Sequence, residues 1–163
     1  MKIIYSLFIM IIIFCQSTCI ARNLDILDNG NLIRVDGAQG YGVYAVRSSV
    51  DVELYNPPNY RISINTIIIN DSTGQRGDIH NYTFSYNWDK KTVAYLSHQK
   101  NELVNWDINH EYSHAEGDPM IPHLAEVAFV SAYIIKFYGN MSTNTYGYWH
   151  RVISDKFYQY LGI

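Results

Sequence analysis

The segment that decides the fold is YRISINTIIIN, residues 60–70, in which β-branched side chains dominate. Isoleucine and threonine are favoured in strands because their branched side chains pack well on a pleated surface. The turn Asn56-Pro57-Pro58-Asn59 comes directly before it, and neither proline can donate a hydrogen bond to a strand ladder. The chain must therefore reverse before residue 60. We predict a strand over residues 60–70 and a polar loop after it.

Apolar and polar residues alternate on both sides of this strand, from residue 31 to about residue 107. Alternation with a period of two is typical of strands, and glycine, proline and asparagine turn signals separate the segments. The alternating segments are 31–37, 41–46, 50–55, 82–86, 93–95 and, after a polar turn at 99–101, 103–108. Together they predict an antiparallel, meander-like sheet of about five to seven strands. The polar loop 71–78, which contains Gly74 and Gly77, is the segment that we expect to be most mobile.

A helix is predicted after the last strand, where alternation gives way to helical spacing. Pro122 suits a first helical turn, residues 124–138 contain no glycine or proline, and Gly139-Asn140 is a stop signal. The segment is apolar on both of its sides, which indicates that it is buried. We therefore predict a helix over residues 123–138, packed against the sheet.

Residues 148–161 have a second, amphipathic pattern, which predicts a C-terminal helix covering an edge or a face of the sheet. The predicted fold class is therefore α+β. Residues 31–139 form its core and residues 140–163 a C-terminal helical extension. The mature chain is long enough for one domain with its own core.

The N-terminus has the composition of a signal peptide. Lys2 supplies a positive start, residues 3–14 are almost entirely apolar, and Ala21 ends a cleavage region of small and polar residues. The apolar run has about a dozen residues, fewer than the ~20 that span a bilayer, which favours cleavage over a retained membrane anchor. We predict a signal peptide over residues 1–21, a single domain over residues 22–163 and an extracytoplasmic location, whether periplasmic, cell-surface or secreted.

Both cysteines, Cys15 and Cys19, lie in this leader, so cleavage would leave a mature domain without disulfides. Lipidation of the leader is an alternative. However, Phe14 and Thr18, which precede the two cysteines, are not the small residues usual in lipidation signals. We therefore expect a domain that depends on packing for its stability and that has no membrane span after cleavage.

Composition excludes some partners. The formal net charge is −3, which gives no electrostatic reason to expect nucleic acid or an acidic membrane as a partner. Aromatic residues make up 15% of the chain, with 15 tyrosines, and aromatic pairs commonly stabilise neighbouring strands. We expect most of these rings to pack across the sheet.

The one motif with catalytic character is HEYSH, residues 110–114. In H-E-x-x-H motifs two histidines one helical turn apart bind zinc, and the glutamate acts as general base. Here His110 and His114 would be ligands, Glu111 the catalytic base, and His123 or Glu126 the third ligand. A small zinc-dependent hydrolase or protease is therefore an alternative function.

Three features argue against this alternative. Met120 stands where the longer metzincin pattern has its third histidine, and Gly117-Asp118-Pro119 ends any helix within three residues of His114. Residues 106–109 also indicate the end of a strand. We therefore interpret the match as coincidence, and we predict no cofactor and no metal, with zinc as the alternative.

Six short segments of the mature chain form a recognisable series. They are NLIRVDG at 31–37, RSSV at 47–50, YNPPNY at 55–60, FSYNWD at 84–89, DPMIP at 118–122 and AEVAF at 125–129. The series resembles small exported bacterial proteins similar to the surface-adhesin protein E of Gram-negative bacteria, with members in the Selenomonas group. It covers about residues 31–139, and the tail from residue 141 lies outside it.

The resemblance implies strands followed by a helix that begins after a proline-bounded turn. It also implies an exported surface or periplasmic domain that binds rather than catalyses. We therefore expect a non-enzymatic protein with adhesin-like binding of a host or envelope protein. The contact would involve exposed aromatic residues or the 71–81 loop.

Overall fold

The computed structural model describes residues 26–27, 30–97, 102–106, 120–145 and 148–163. In these ranges the main sheet is an antiparallel meander in which every strand pairs with its neighbours along the chain. Its strands are β1 (Ile26–Leu27), β2 (Leu32–Ala38), β3 (Tyr41–Asn56), β4 (Asn59–Asn70), β5 (Arg76–Asn87), β6 (Thr92–Ser97) and β7 (Glu102–Trp106). Because β1 has only two residues, β2 to β7 form the body of the sheet. The predicted α+β fold and its meander are confirmed.

The buried helix that the sequence predicts is α1, which spans Met120–Tyr133 rather than residues 123–138. Pro122 lies in its first turn, as expected. The helix ends early because Ile134 takes the left-handed conformation, with a φ of 58°. That conformation costs a residue with a side chain about 1–2 kcal/mol and is exceptional for a β-branched one. Because isoleucine is not a residue that usually ends helices, the sequence contains no signal that α1 ends at residue 134.

The C-terminal helix is confirmed as α2 (Asp155–Leu161), but it begins seven residues later than predicted. The preceding residues form a hairpin of β8 (Ser142–Thr145) and β9 (Tyr148–Arg151). Ser154 starts α2, because its side chain accepts a hydrogen bond from the N–H of Phe157. Gly162 ends it in the left-handed conformation usual at helix ends. In neither helix of the described residues is an apolar stretch long enough to span a bilayer.

The core lies between α1 and the sheet face turned toward it, which we call the near face. Helix α1 packs over β2, β3 and β4. The near face carries Ile33, Ala45, Ile62, Ile64, Phe84, Tyr86 and Val93, all of them buried. On the opposite or far face, Leu32, Tyr44, Ile67 and Ile69 form a smaller buried cluster. The predicted packing of aromatic side chains in the sheet is thus confirmed at Tyr44, Phe84 and Tyr86.

The side of the sheet formed by β5 to β7 is covered by the chain that follows α1. The Phe137 ring lies 5.1 Å from the Tyr86 ring, and the Tyr138 ring lies 5.9 Å from the Trp106 ring. Phe137 and Tyr138 are both buried although they lie outside any helix. The near face is therefore covered by α1, by residues 137–138 and by α2, whose buried Phe157, Tyr158 and Leu161 belong to the same core.

Candidate functional site

The sequence-predicted site residues fall into two groups. His110, Glu111 and His114 lie outside the described residues, so their role stays a prediction. His123 and Glu126 both lie on α1. The His123 ring packs edge-on against the Phe157 ring, with centroids 4.8 Å apart. Within the described ranges no three histidine, cysteine or acidic side chains are grouped so that they could share an ion.

Glu126 is completely buried, and protein groups engage both of its carboxyl oxygens. The Tyr158 hydroxyl donates to Oε1 at 2.8 Å, and the Tyr138 N–H donates to Oε2 at 3.1 Å. A buried carboxyl group is tolerated only when hydrogen bonds replace its lost hydration. Glu126 therefore joins α1 to residues 137–138 and to α2.

The surroundings of Glu126 and Tyr158 favour the protonated form of each side chain. Burial raises the pKa of Glu126, while the hydrogen bonds from Tyr158, Tyr138 and Phe137 and the charge of Lys91 act in the opposite direction and do not cancel it. The pKa of Tyr158 is also raised, first by burial and then by the charge of Glu126. The phenol accordingly stays protonated and remains a hydrogen-bond donor to Glu126.

Lys91 connects the β5–β6 turn with the segment that follows α1. Its ammonium group lies 3.0 Å from the centroid of the Trp88 ring, 5.0 Å from that of Phe137, and donates to the Phe137 carbonyl oxygen at 3.0 Å. A cation over an aromatic face is attracted by the negative potential of the ring. Burial lowers the pKa of Lys91, and the nearby charges of Glu126 and Asp89 oppose that change.

An exposed apolar surface lies at the end of the sheet where β3 and β4 join. Tyr55 is 67% exposed, and Ile134 and Ile135, which follow α1, are 76% and 52% exposed. The Tyr55 ring contacts those of Tyr60 and Tyr133, with centroids 5.7 and 5.9 Å apart. We call Tyr55, Tyr133, Ile134 and Ile135 the Tyr55 patch. Tyr55 is the exposed aromatic side chain of this patch, and the binding role that the sequence analysis expects of exposed aromatic residues stays a prediction.

The Tyr55 patch rests on a rigid aromatic base. The rings of Tyr60 and Tyr133 pack against Phe129 at 5.4 and 4.9 Å, and Trp88 stacks on Phe129 at 5.6 Å. Phe129 itself is only 2% exposed. Aromatic side chains held in this way lose little conformational freedom when they bind a partner. The surface is therefore preorganised.

The loop predicted over residues 71–81 is shorter in the structure, because β5 begins at Arg76. The Asn70 side-chain oxygen accepts hydrogen bonds from the N–H groups of Ser72 and Thr73, both at 3.0 Å. Asp71 forms an ion pair with Arg34 at 3.2 Å. The connection between β4 and β5 is thus an ordered turn of residues 71–75.

Sequence reasoning missed the roles of Lys91 and Ile134. The partner of Lys91 is Phe137, 46 residues further along the chain, and no local pattern reports such a contact. For Glu126 there was a signal, since it is a lone acidic residue in an otherwise apolar helix. That signal is compatible with a metal ligand, whereas the structure gives the carboxyl group two hydrogen-bond donors from the protein, the Tyr158 hydroxyl and the Tyr138 N–H.

Comparison of the chain with models of protein families, with curated proteins and with solved structures gave no match. The resemblance to the surface-adhesin protein E family therefore stays a prediction.

Proposed function

We propose that the protein is an exported, non-enzymatic binding domain whose Tyr55 patch contacts a protein partner at the cell surface or in the envelope. The observation that carries this proposal is the exposure of Tyr55, whose ring contacts the Tyr133 ring, together with the exposure of Ile134 and Ile135, which directly follow Tyr133 in the chain. Clustered exposed apolar residues mark contact surfaces, and tyrosine is enriched where such contacts are strongest.

The conformation of Ile134 supports the proposal. A glycine would end α1 at this position without strain, yet the chain has a β-branched residue with a φ of 58° whose side chain is mostly in solvent. A residue that is both strained and exposed contributes little to folding. Strain of this kind is commonly associated with functional surfaces.

The interior supports a binding role as well. Glu126 is the acidic residue on α1, and its oxygens are engaged by Tyr158 and Tyr138, which stabilise the fold. The signal peptide pattern and the series of segments that resembles surface-adhesin protein E point in the same direction. They favour an extracytoplasmic domain whose activity is recognition.

The experiment compares two tyrosine variants from opposite ends of β3. Purified mature protein carrying a fluorescent label is titrated onto intact bacterial cells and onto cultured animal epithelial cells. One variant combines Tyr55→Ser with Ile134→Ser, and the matched control is Tyr41→Ser, since Tyr41 is 50% exposed at the other end of β3. Thermal unfolding establishes that both variants are folded.

We expect saturable binding to one of the two cell types, weakened at least tenfold by the double substitution and unchanged by the control. Equal binding by both variants would exclude the Tyr55 patch as the contact surface. An absence of saturable binding to either cell type would overturn the proposed function itself.

A further inference from the structure

The first residues of β5 are Arg76, Gly77 and Asp78, and all three are exposed. They follow the ordered turn of residues 71–75 and lie at the end of the sheet opposite the Tyr55 patch. Ten residues of β4 separate the two ends, which corresponds to a distance on the order of 30 Å. The tripeptide therefore forms a surface of its own.

A β-bulge sets the directions of the two charged side chains. Ile69 pairs with Arg76 and Ile67 pairs with Ile79, so that Gly77 and Asp78 together lie opposite the single residue Ile68. In a regular strand, residues two apart lie on the same face. A bulge adds one residue and so changes the face of the residues that follow it.

The consequence is that Arg76 and Asp78 lie on opposite faces. Arg76 shares the far face with its partner Ile69, and Ile79 shares that face with Ile67. Asp78, which directly precedes Ile79, therefore lies on the near face. The guanidinium and the carboxylate diverge from the strand with only a glycine between them.

Gly77 has no structural requirement that accounts for it. It is not among the glycines with positive φ, and a Cβ atom there would lie 3.5 Å from the Ile68 carbonyl oxygen, an ordinary contact distance. At Gly42, by contrast, a Cβ atom would lie 2.5 Å from the ring of the buried Tyr44. Glycine within a strand weakens it, but it lets another molecule approach the backbone closely.

Asp78 is available to a ligand. In the part of the chain that the structure describes, no hydrogen bond or ion pair engages its carboxylate. An exposed carboxylate is a hard oxygen ligand suited to Mg²⁺ or Mn²⁺, and a guanidinium pairs with carboxylates through two parallel hydrogen bonds. The Asp78 carboxylate thus suits a metal-bearing pocket. The exposed Arg76 side chain also has an interaction within the protein, and its remaining N–H donors suit an acidic pocket.

We propose that Arg76-Gly77-Asp78 is a binding site for a cell-adhesion receptor of the kind that recognises this tripeptide on animal cells. A receptor that fits these two groups would hold the aspartate on a bound divalent cation and the arginine against acidic side chains. The site rests on the proposed function in one respect, since it requires the protein to be exported. It differs in using the β4–β5 end of the sheet rather than the Tyr55 patch.

The test is adhesion of cultured animal cells to surfaces coated with the purified mature protein in the presence of Mg²⁺. Asp78→Glu keeps the charge and moves the carboxylate by one methylene group, and Gly77→Ala adds a single methyl group. The matched control is Asp51→Glu, since Asp51 is an exposed aspartate on β3. Soluble Arg-Gly-Asp peptide and EDTA are added in parallel wells.

We expect Asp78→Glu and Gly77→Ala to raise the half-saturating coating density at least tenfold, and Asp51→Glu to leave it unchanged. The peptide and EDTA should each abolish adhesion. Adhesion that survives Asp78→Glu, or that is insensitive to the peptide, would overturn this inference.

The Tyr55→Ser, Ile134→Ser variant separates this inference from the proposed function. If this variant still supports cell adhesion and the soluble peptide blocks that adhesion, the result supports the tripeptide site. If saturable binding of the wild-type protein is insensitive to the peptide and is lost in this variant, the tripeptide site is refuted. The Tyr55 patch is then supported as the contact surface.

Discussion

Replacing Glu126 with alanine should destabilise the protein strongly, because the carboxyl group joins three parts of the fold. The substitution leaves the Tyr158 hydroxyl and the Tyr138 N–H without their acceptor in a buried site. A buried donor without a partner costs about 1–3 kcal/mol, and the missing side chain also leaves a cavity. We expect Glu126→Ala to lower the free energy of unfolding by about 3–5 kcal/mol, a large part of the stability of an ordinary domain.

Urea unfolding followed by tryptophan fluorescence measures this loss, and a double-mutant cycle attributes it. Tyr158→Phe removes one hydroxyl group and should cost about 1–2 kcal/mol on its own. Once Glu126 is alanine, the same change removes an unpaired donor and should cost almost nothing, which gives a coupling of about 1–2 kcal/mol. The exposed Glu102 supplies the control, because Glu102→Ala should change stability by less than about 0.5 kcal/mol.

A cost of less than about 1 kcal/mol for Glu126→Ala, or additivity of the two substitutions, would refute the role of the Glu126 carboxyl group in joining the fold. The pH dependence supplies a second check. Because the pKa of Glu126 is raised in the folded protein, the folded state binds this proton more tightly than the unfolded chain. The contribution is complete below the ordinary glutamate pKa of about 4.3 and is lost as the pH rises through the folded value. The advantage of the wild type over Glu126→Gln should therefore decrease from pH 4 to pH 7.

Three further predictions concern the backbone and the metal alternative. Ile134→Gly should raise the free energy of unfolding by about 1 kcal/mol, measured by thermal unfolding, because glycine adopts a positive φ without strain; an unchanged or lower melting temperature would contradict the strain at this residue. Gly42→Ala should cost about 1–3 kcal/mol, since the new Cβ atom would meet the ring of the fully buried Tyr44, whereas Gly77→Ala should be neutral or slightly stabilising. Equal urea midpoints for the two alanine variants would refute that contrast. The purified mature protein should contain much less than one equivalent of zinc by elemental analysis, and stoichiometric zinc that disappears in His114→Ala would establish the hydrolase alternative instead.

The sheet could be predicted from the sequence because its determinants are local. Alternation in residues 60–70 and the prolines before them specify a strand and a reversal without reference to the rest of the chain. The hairpin at residues 142–151 could not be predicted in this way, since its amphipathic pattern also fits a helix. Threonine and asparagine in β8 are weak helix formers, and pairing with β9 decides the outcome.

The candidate site was less predictable because its contacts are distant in sequence. Glu126 could be identified as unusual, but its partners Tyr138 and Tyr158 lie 12 and 32 residues away. The contact of the Tyr55 ring with that of Tyr133 joins β3 to α1 across a long stretch of sequence, and no local pattern reports it. The divergence of Arg76 and Asp78 depends on a register shift of one residue against β4.

The covering of the near face by α1, residues 137–138 and α2 has a consequence for how the chain acquires its structure. All strands of the meander precede these three segments in the sequence, so a growing chain has made its sheet residues before anything can shield the apolar side. Sheets of this kind with an open apolar side are prone to self-association. Cooperative folding should therefore await synthesis of the segment from Met120 to Leu161, and a chain stopped after Trp106 should aggregate although it contains the complete meander.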